Sequence, residues 1–451
     1  MTSDTDRIAQ LDDVDAGHRR EALSALAATR AAAQPPAGTN VNMHMHSFFS
    51  YNADGWSPSH LAWAARSAGL YAAGLCDFDV LDGQEEFLEA GEILGLRATV
   101  NLETRAYVRD FAKVDINSPG EPGVTYIMGG GFARPLAAGS PQAQGLAAFR
   151  RGARERNEAL IQRINPHIPD IALDYARDVV PLTPAGVATE RHIVRAYVRK
   201  AEAAFPDPAT RTDFWARVLV RDLDKTAALM GDLPAFEEAV RSRLAKKGGF
   251  GYEPPSVGTF PPVDVFLSWV ASCGAVPMAT WLDGTSGGES DAPAFLECLR
   301  AKGARALNLI PDRNWNIRNP DEKALKIGKL GEIVSAAVAL HLPINIGTEL
   351  NKQGVPFTDD LDGAALRPHK EVFLRGARLF VGHSLLARYA GFGYVGAKAD
   401  AQFGDDTAAR NTFFERVGAQ PPLVRAEADR LRQMGEEKAL AWFSDRNGAA
   451  R

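Results

Sequence analysis

Apolar positions recur along this chain in two alternating rhythms. Residues 40–46, 71–76 and 97–102 are short β-like runs, and between them residues 57–68 and 84–94 carry apolar side chains at helical spacing. Ser57-Pro58 opens the first helix and Gly95 ends the second, so start and stop signals agree with the spacing. Strand and helix alternating across tight joins predict βαβ units and a parallel sheet. The alternation stops after residue 103. Residues 117–132 are rich in Gly and Pro, and residues 142–165, 189–205 and 211–247 read as helical. It resumes through 266–272, 276–280, 294–301, 304–310, 322–340, 343–346 and 379–381, the last read as a strand.

The ends differ from this pattern. Residues 8–34, rich in Ala, Leu, Arg and Glu and broken by Pro35-Pro36-Ala37-Gly38, predict a helix standing as an arm outside the main fold. Residues 405–451 predict one or two surface helices, with 423–432 a solvated amphipathic one. The expected organisation is an N-terminal helical arm (1–38), the first part of an α/β barrel (39–103), a mainly helical insertion or cap that includes part of the barrel (104–262), the rest of the barrel (263–400) and a helical tail (401–451).

Length supports that division. The chain has 451 residues, and a single barrel of about 250 would leave roughly 200 to place in the insertion and the ends. With 45% hydrophobic and 24% charged residues it is globular rather than disordered or fibrous. A net charge of −5 argues against a protein whose work is neutralising phosphate backbones, so no nucleic-acid partner is expected. Three cysteines without a CxxC pair indicate neither a disulfide framework nor a thiolate zinc site. The first residues are acidic and polar, unlike a signal peptide, and no apolar run approaches about 18 residues, so a cytoplasmic protein without a membrane partner is expected. Homo-oligomerisation is left open.

The chemistry begins at Val41-Asn42-Met43-His44-Met45-His46-Ser47. Two histidines at i and i+2 on a strand share a face, and at the carboxyl end of a barrel strand that face looks into the mouth, where two imidazoles can grip one divalent cation. Paired histidines also occur as ordinary surface residues. The next strands end in Asp77-Phe78-Asp79 and Asn101-Leu102-Glu103, so acidic groups stand at three successive strand ends. Asp79 and Asp82 also suit helix caps or loop charges. Arg313 ends the run 304–310, either to hold a phosphate or carboxylate bidentately or to pair with Asp312. His383, after the predicted strand 379–381, suits a general acid or a helix cap. Met128-Gly129-Gly130-Gly131-Phe132 lacks the GK[ST] of a phosphate loop and reads as a lip of the insertion.

His44-Met45-His46-Ser47, the loop from Ser50 to Ser57-Pro58, Ala68-Gly69-Leu70, Asp77-Phe78-Asp79, Leu81-Asp82-Gly83 and Leu94-Gly95-Leu96 leading to Glu103 together resemble the N-terminal part of the polymerase and histidinol phosphatase (PHP) family. The remainder is similar more weakly, nearest to a branch with an insertion and a Glu-Arg-His element. The resemblance implies a distorted TIM-like (β/α)7 barrel, up to three divalent metals and phosphoester hydrolysis. It makes His44 and His46 the first ligand pair, Glu103 the carboxylate between two metals, His192 the histidine after the third strand, and Glu349 the acid of a late acid-x-His pair. Phe78 and Asn351 stand where the family has histidines, so the third metal site is depleted. Trp281 replaces another, which leaves Asp283 as a substitute ligand. One or two ions are implied, Mn2+, Mg2+ or Zn2+, with carboxylate-for-imidazole exchange favouring the harder two.

The expected activity is therefore that of a PHP-type phosphoesterase acting on a small phosphorylated metabolite through metal-activated water, with His383, Arg313 and Asp77 as catalytic groups. An amidohydrolase-like or sugar-acid isomerase barrel, or a non-catalytic metal-binding sensor, are the alternatives.

Overall fold

In the computed structural model, which describes residues 3–30 and 33–448, seven strands form one sheet whose spatial order follows the chain: β1 (Val41–Met45), β2 (Ala72–Phe78), β3 (Arg97–Tyr107), β4 (Val124–Gly130), β5 (Val276–Trp281), β6 (Ala306–Leu309) and β7 (Ile344–Ile346). Neighbours run parallel except β4, which is antiparallel to both β3 and β5. Beyond β7 the chain returns to β1. The Glu349 N–H donates to the His44 carbonyl at 2.8 Å, and the His46 N–H donates to the Glu349 carbonyl at 2.9 Å. The sheet is thereby a nearly closed α/β barrel.

The helices around it form where the spacing placed them. Pro58–Ser67, Gln84–Leu94, Val263–Ser272, Ala292–Ala301 and Pro320–Ala339 pack their apolar faces outside the strands. Ser57 caps the first by accepting from the His60 N–H.

Within the barrel, two elements differ from expectation. The run 379–381 is not a strand; it lies inside the helix Lys370–Ala390, with Leu379, Phe380 and Val381 all buried. A short apolar run buried on every side has no period that separates the two conformations. The seventh strand is instead β4, inside the Gly- and Pro-rich segment. Its first half, Val124-Thr125-Tyr126-Ile127, is β-branched and aromatic and favours a strand. Its glycines admit neighbours rather than flexibility: a Cβ on Gly129 would lie 2.6 Å from Val270 Cγ1, and one on Gly130 2.7 Å from Phe380 Cε1.

Between β4 and β5 the helices Pro141–Ile164, Glu190–Ala204, Pro208–Leu219, Leu223–Met230 and Leu233–Leu244 bury an apolar cluster of their own, including Ile164, Tyr197, Trp215, Phe236 and Val240. The N-terminal segment is two helices, Asp4–Gln10 and Ala16–Arg30, and it does not stand apart. Leu11, Leu23 and Leu26 pack with Leu61, Ala65 and Phe87, because the Ala- and Leu-rich face needs a partner. Buried Arg19 anchors it to Glu86 at 2.5 and 2.9 Å. The C-terminal residues form three helices, Thr407–Ala419, Arg425–Met434 and Glu436–Gly448, with Phe414, Leu431 and Phe443 buried. Among the described residues no helix is long and apolar enough to cross a membrane.

Candidate metal centre

Barrel closure assembles the site. His44 and His46 share the inward face of β1 and its extension, Glu103 lies mid-way along β3, and Glu349 follows β7 where that strand meets β1. Each of the four offers one ligand atom, and these atoms lie within 4.8 Å of one another. Glu103 Oε2 is 3.3 Å from His46 Nε2 and 3.6 Å from His44 Nε2. Glu349 and Leu350 hold left-handed backbone angles, φ +65° and +54°, unusual for residues with a Cβ. The two hydrogen bonds to β1 sustain that strain and turn the Glu349 carboxylate inward.

Both ring nitrogens of His44 and Nε2 of His46 are buried without a hydrogen-bond partner. Unpaired polar atoms in a core cost free energy, and two imidazole nitrogens facing two carboxylates are the donor set of a divalent cation. Burial works against charge on Glu103, yet the imidazoles of His44 and His46 outweigh it and hold the carboxyl below its usual range. Burial likewise opposes a charged His44, and the attraction of Glu103 and Glu349 overcomes it.

Asp77 does not reach this group. It accepts from the Ser47 N–H, the Ser47 hydroxyl and the Ser50 hydroxyl, each at 2.7 Å. Ser50 has one proton, given to Asp77, so its oxygen accepts from His46 Nδ1–H at 3.1 Å. That relay leaves the lone pair of His46 on Nε2, facing Glu103. Asp77 is thus a positioning residue, and the catalytic role expected for it is corrected accordingly. Arg313 pairs with Glu349 at 2.7 Å rather than with Asp312, while still lining the cavity above the group.

His192 and Asp283 are also not brought into the group. His192 serves its own helix: Nδ1 accepts from the Thr189 N–H at 3.1 Å, and burial, helped by Arg195, pushes the imidazole down to about 3. Asp283 accepts from the Thr285 N–H and hydroxyl and pairs with Lys326 at 3.1 Å. His383 sits at the other end of the barrel. Its Nε2 donates to the carbonyl of Gly131, which follows antiparallel β4 beside the start of β5, and its Nδ1 accepts from the Tyr394 N–H. Both nitrogens are occupied in the core, so the ring holds a helix and a strand together rather than a leaving group.

That environment makes a testable pH dependence. Burial pushes His383 down to about 4, against the carbonyl of Gly131. The unfolded chain takes up this proton below about 6.5 and the folded one does not, so stability present above that pH is lost as the pH falls towards 4. Denaturant unfolding at pH 5 and 7 is expected to show about 2 kcal/mol of this loss. A His383→Gln variant with an undiminished slope would count against it.

Above the four ligands opens a cavity of about 600 Å³. Its floor is His46, Glu103 and Glu349; its walls include Phe78, Tyr126 and Arg313 from the barrel and Arg156, Arg191 and Lys247 from the insertion.

Comparison with solved structures finds the same architecture. An amidohydrolase from Chromobacterium violaceum, solved with sulfate and no metal, aligns with 74% of this chain and 95% of its own, at TM-score 0.50 and 16% identity. A proposed metal-dependent phosphoesterase from Bifidobacterium adolescentis aligns with 74% of this chain and 96% of its own, at TM-score 0.45 and 19% identity. The fold is shared. No protein-family model matches the chain, and no curated protein matches it.

Several site residues escaped the sequence. Ser50 lies four positions after His46, and its role depends on Asp77 reaching it from β2. Arg191 sits beside His192 in the same Glu-Arg-His element, yet it is the arginine that lines the cavity. Arg156 carries no local signal in a helix with several arginines.

Proposed function

We propose that this protein is a metal-dependent hydrolase of the PHP type that cleaves a phosphoester of a small metabolite in the cytoplasm. The observation that carries the reading is the group His44, His46, Glu103 and Glu349 at the floor of a cavity whose walls bear arginine and lysine. One divalent ion, Mn2+, Mg2+ or Zn2+, held by these four would activate water and withdraw charge from a phosphoryl oxygen. The protein's own residues supply the rest. The Ser50–Asp77 relay keeps His46 in one tautomer, and Arg313 fixes Glu349 while its remaining donors face the cavity, where a phosphoryl group suits a guanidinium fork. The insertion supplies part of the cavity wall, and the low-dielectric wall strengthens each of these charges. Purified protein stripped of metal and resupplied with Mn2+ is expected to turn over members of a broad phosphomonoester panel. Absence of turnover on every member overturns the reading, and activity on cyclic amides or uronates instead would assign the barrel to the amidohydrolase or isomerase class.

A further inference from the structure

Seven cations line the cavity, and four of them are matched. Arg105 pairs with Glu121 at 2.8 Å, Arg241 and Lys246 share Glu190 at 2.5 and 3.1 Å, and Arg313 holds Glu349. The other three all come from the insertion. Arg156, on the helix Pro141–Ile164, has no ion pair among the described residues, Asp79 of the same lining being the carboxylate that attracts it most; one guanidinium nitrogen donates to the Thr259 carbonyl at 3.2 Å and the group lies over the Phe260 ring. Arg191, in the first turn of Glu190–Ala204, has Glu238 only at 3.9 Å and otherwise rests near the Tyr51 ring. Among the described residues Lys247 has no ion pair. The start of that same helix, Thr189 to Arg191, forms part of the wall and adds its positive end.

Half-buried guanidinium groups lose hydration and recover it only by pairing, and both arginines line one cavity with little pairing of their own: one hydrogen bond for Arg156 and one long ion pair for Arg191. A volume of about 600 Å³ is also far more than a phosphoryl group needs; it suits a ligand of drug-like size. We infer that the insertion wall is a second anion subsite, in which Arg156 and Arg191, supported by Lys247, hold an oxyanion distinct from the one at the metal centre. Resting on the hydrolase reading above, this makes the substrate a molecule with two anionic groups, the scissile phosphoester at one end and a carboxylate or phosphate at the other. The barrel supplies the chemistry and the insertion supplies the selection.

The test uses inorganic phosphate and the full chain stripped of metal, so that it does not depend on turnover. Calorimetry is expected to show one phosphate site, weakened at least about 10-fold in Arg156→Gln/Arg191→Gln and unchanged in His44→Ala. Arg156→Lys keeps the charge and is expected to keep binding within a few-fold, which separates loss of the subsite from loss of the fold. No binding to the wild-type protein, or binding indifferent to the double substitution, overturns the inference. A phosphomonoester panel without turnover would overturn the hydrolase reading alone, since the phosphate titration stands by itself.

Discussion

Glu103→Gln is expected to lower the affinity for a divalent cation by more than about 100-fold, because replacing even an outer partner of a metal ligand costs 10–100-fold, and to reduce turnover with it. Glu103 Oε2 lies close to both Nε2 atoms, at 3.3 and 3.6 Å, so its charge serves both imidazoles. Glutamine keeps the size and one carbonyl oxygen and removes the charge that offsets a cation. Glu103 is 2% exposed, and a neutral water from the cavity cannot replace the lost charge. Equilibrium dialysis against Mn2+ with metal analysis measures the effect, and a far-UV spectrum confirms the fold. Retention of one tightly bound ion per chain in the variant would remove the four-ligand assignment.

Gly347→Ala is expected to destabilise the protein by about 3 kcal/mol or more, the cost of overpacking where nothing can move. A Cβ there would lie 2.5 Å from both His44 Cβ and Asn42 Oδ1, and closer still to the His44 amide nitrogen. These are atoms of β1, held in the sheet, so the strain falls on the closure that seats Glu349. Gly328→Ala makes the control. It lies in the helix Pro320–Ala339 with nothing within 4 Å of an added Cβ, and alanine there is expected to add about 0.5–1 kcal/mol. Denaturant midpoints of the two variants measure the contrast; equal midpoints would mean that β7 and β1 do not meet as described.

How legible the site was depended on how local each residue's task is. His44 and His46 were readable because strand geometry alone puts i and i+2 on one face. Glu103 was picked out as a carboxylate at the end of a strand that in fact runs on to Tyr107, and Glu349 through family resemblance. His192 and Asp283 are not brought into the group, and the hydrogen bonds they make are local: His192 Nδ1 with Thr189 three residues away and Asp283 with Thr285 two residues away. His383 was assigned to a strand end that is the middle of a helix. Its partners are Gly131 and Tyr394, and the first of these depends on β4, the strand hidden behind its glycines.

By itself, then, the sequence determined the alternation of strands and helices, the α/β barrel class, and two imidazoles on one face of the first strand. These follow from the periods of the apolar side chains, which act over a few residues. Only the tertiary structure decided that β7 closes on β1, that Arg313 belongs to Glu349 and Asp77 to Ser50, and that Arg156 and Arg191 line the same cavity as His46, Glu103 and Glu349. Each of those pairings joins residues from different elements, and charge pairing and closure depend on distances that no local spacing encodes.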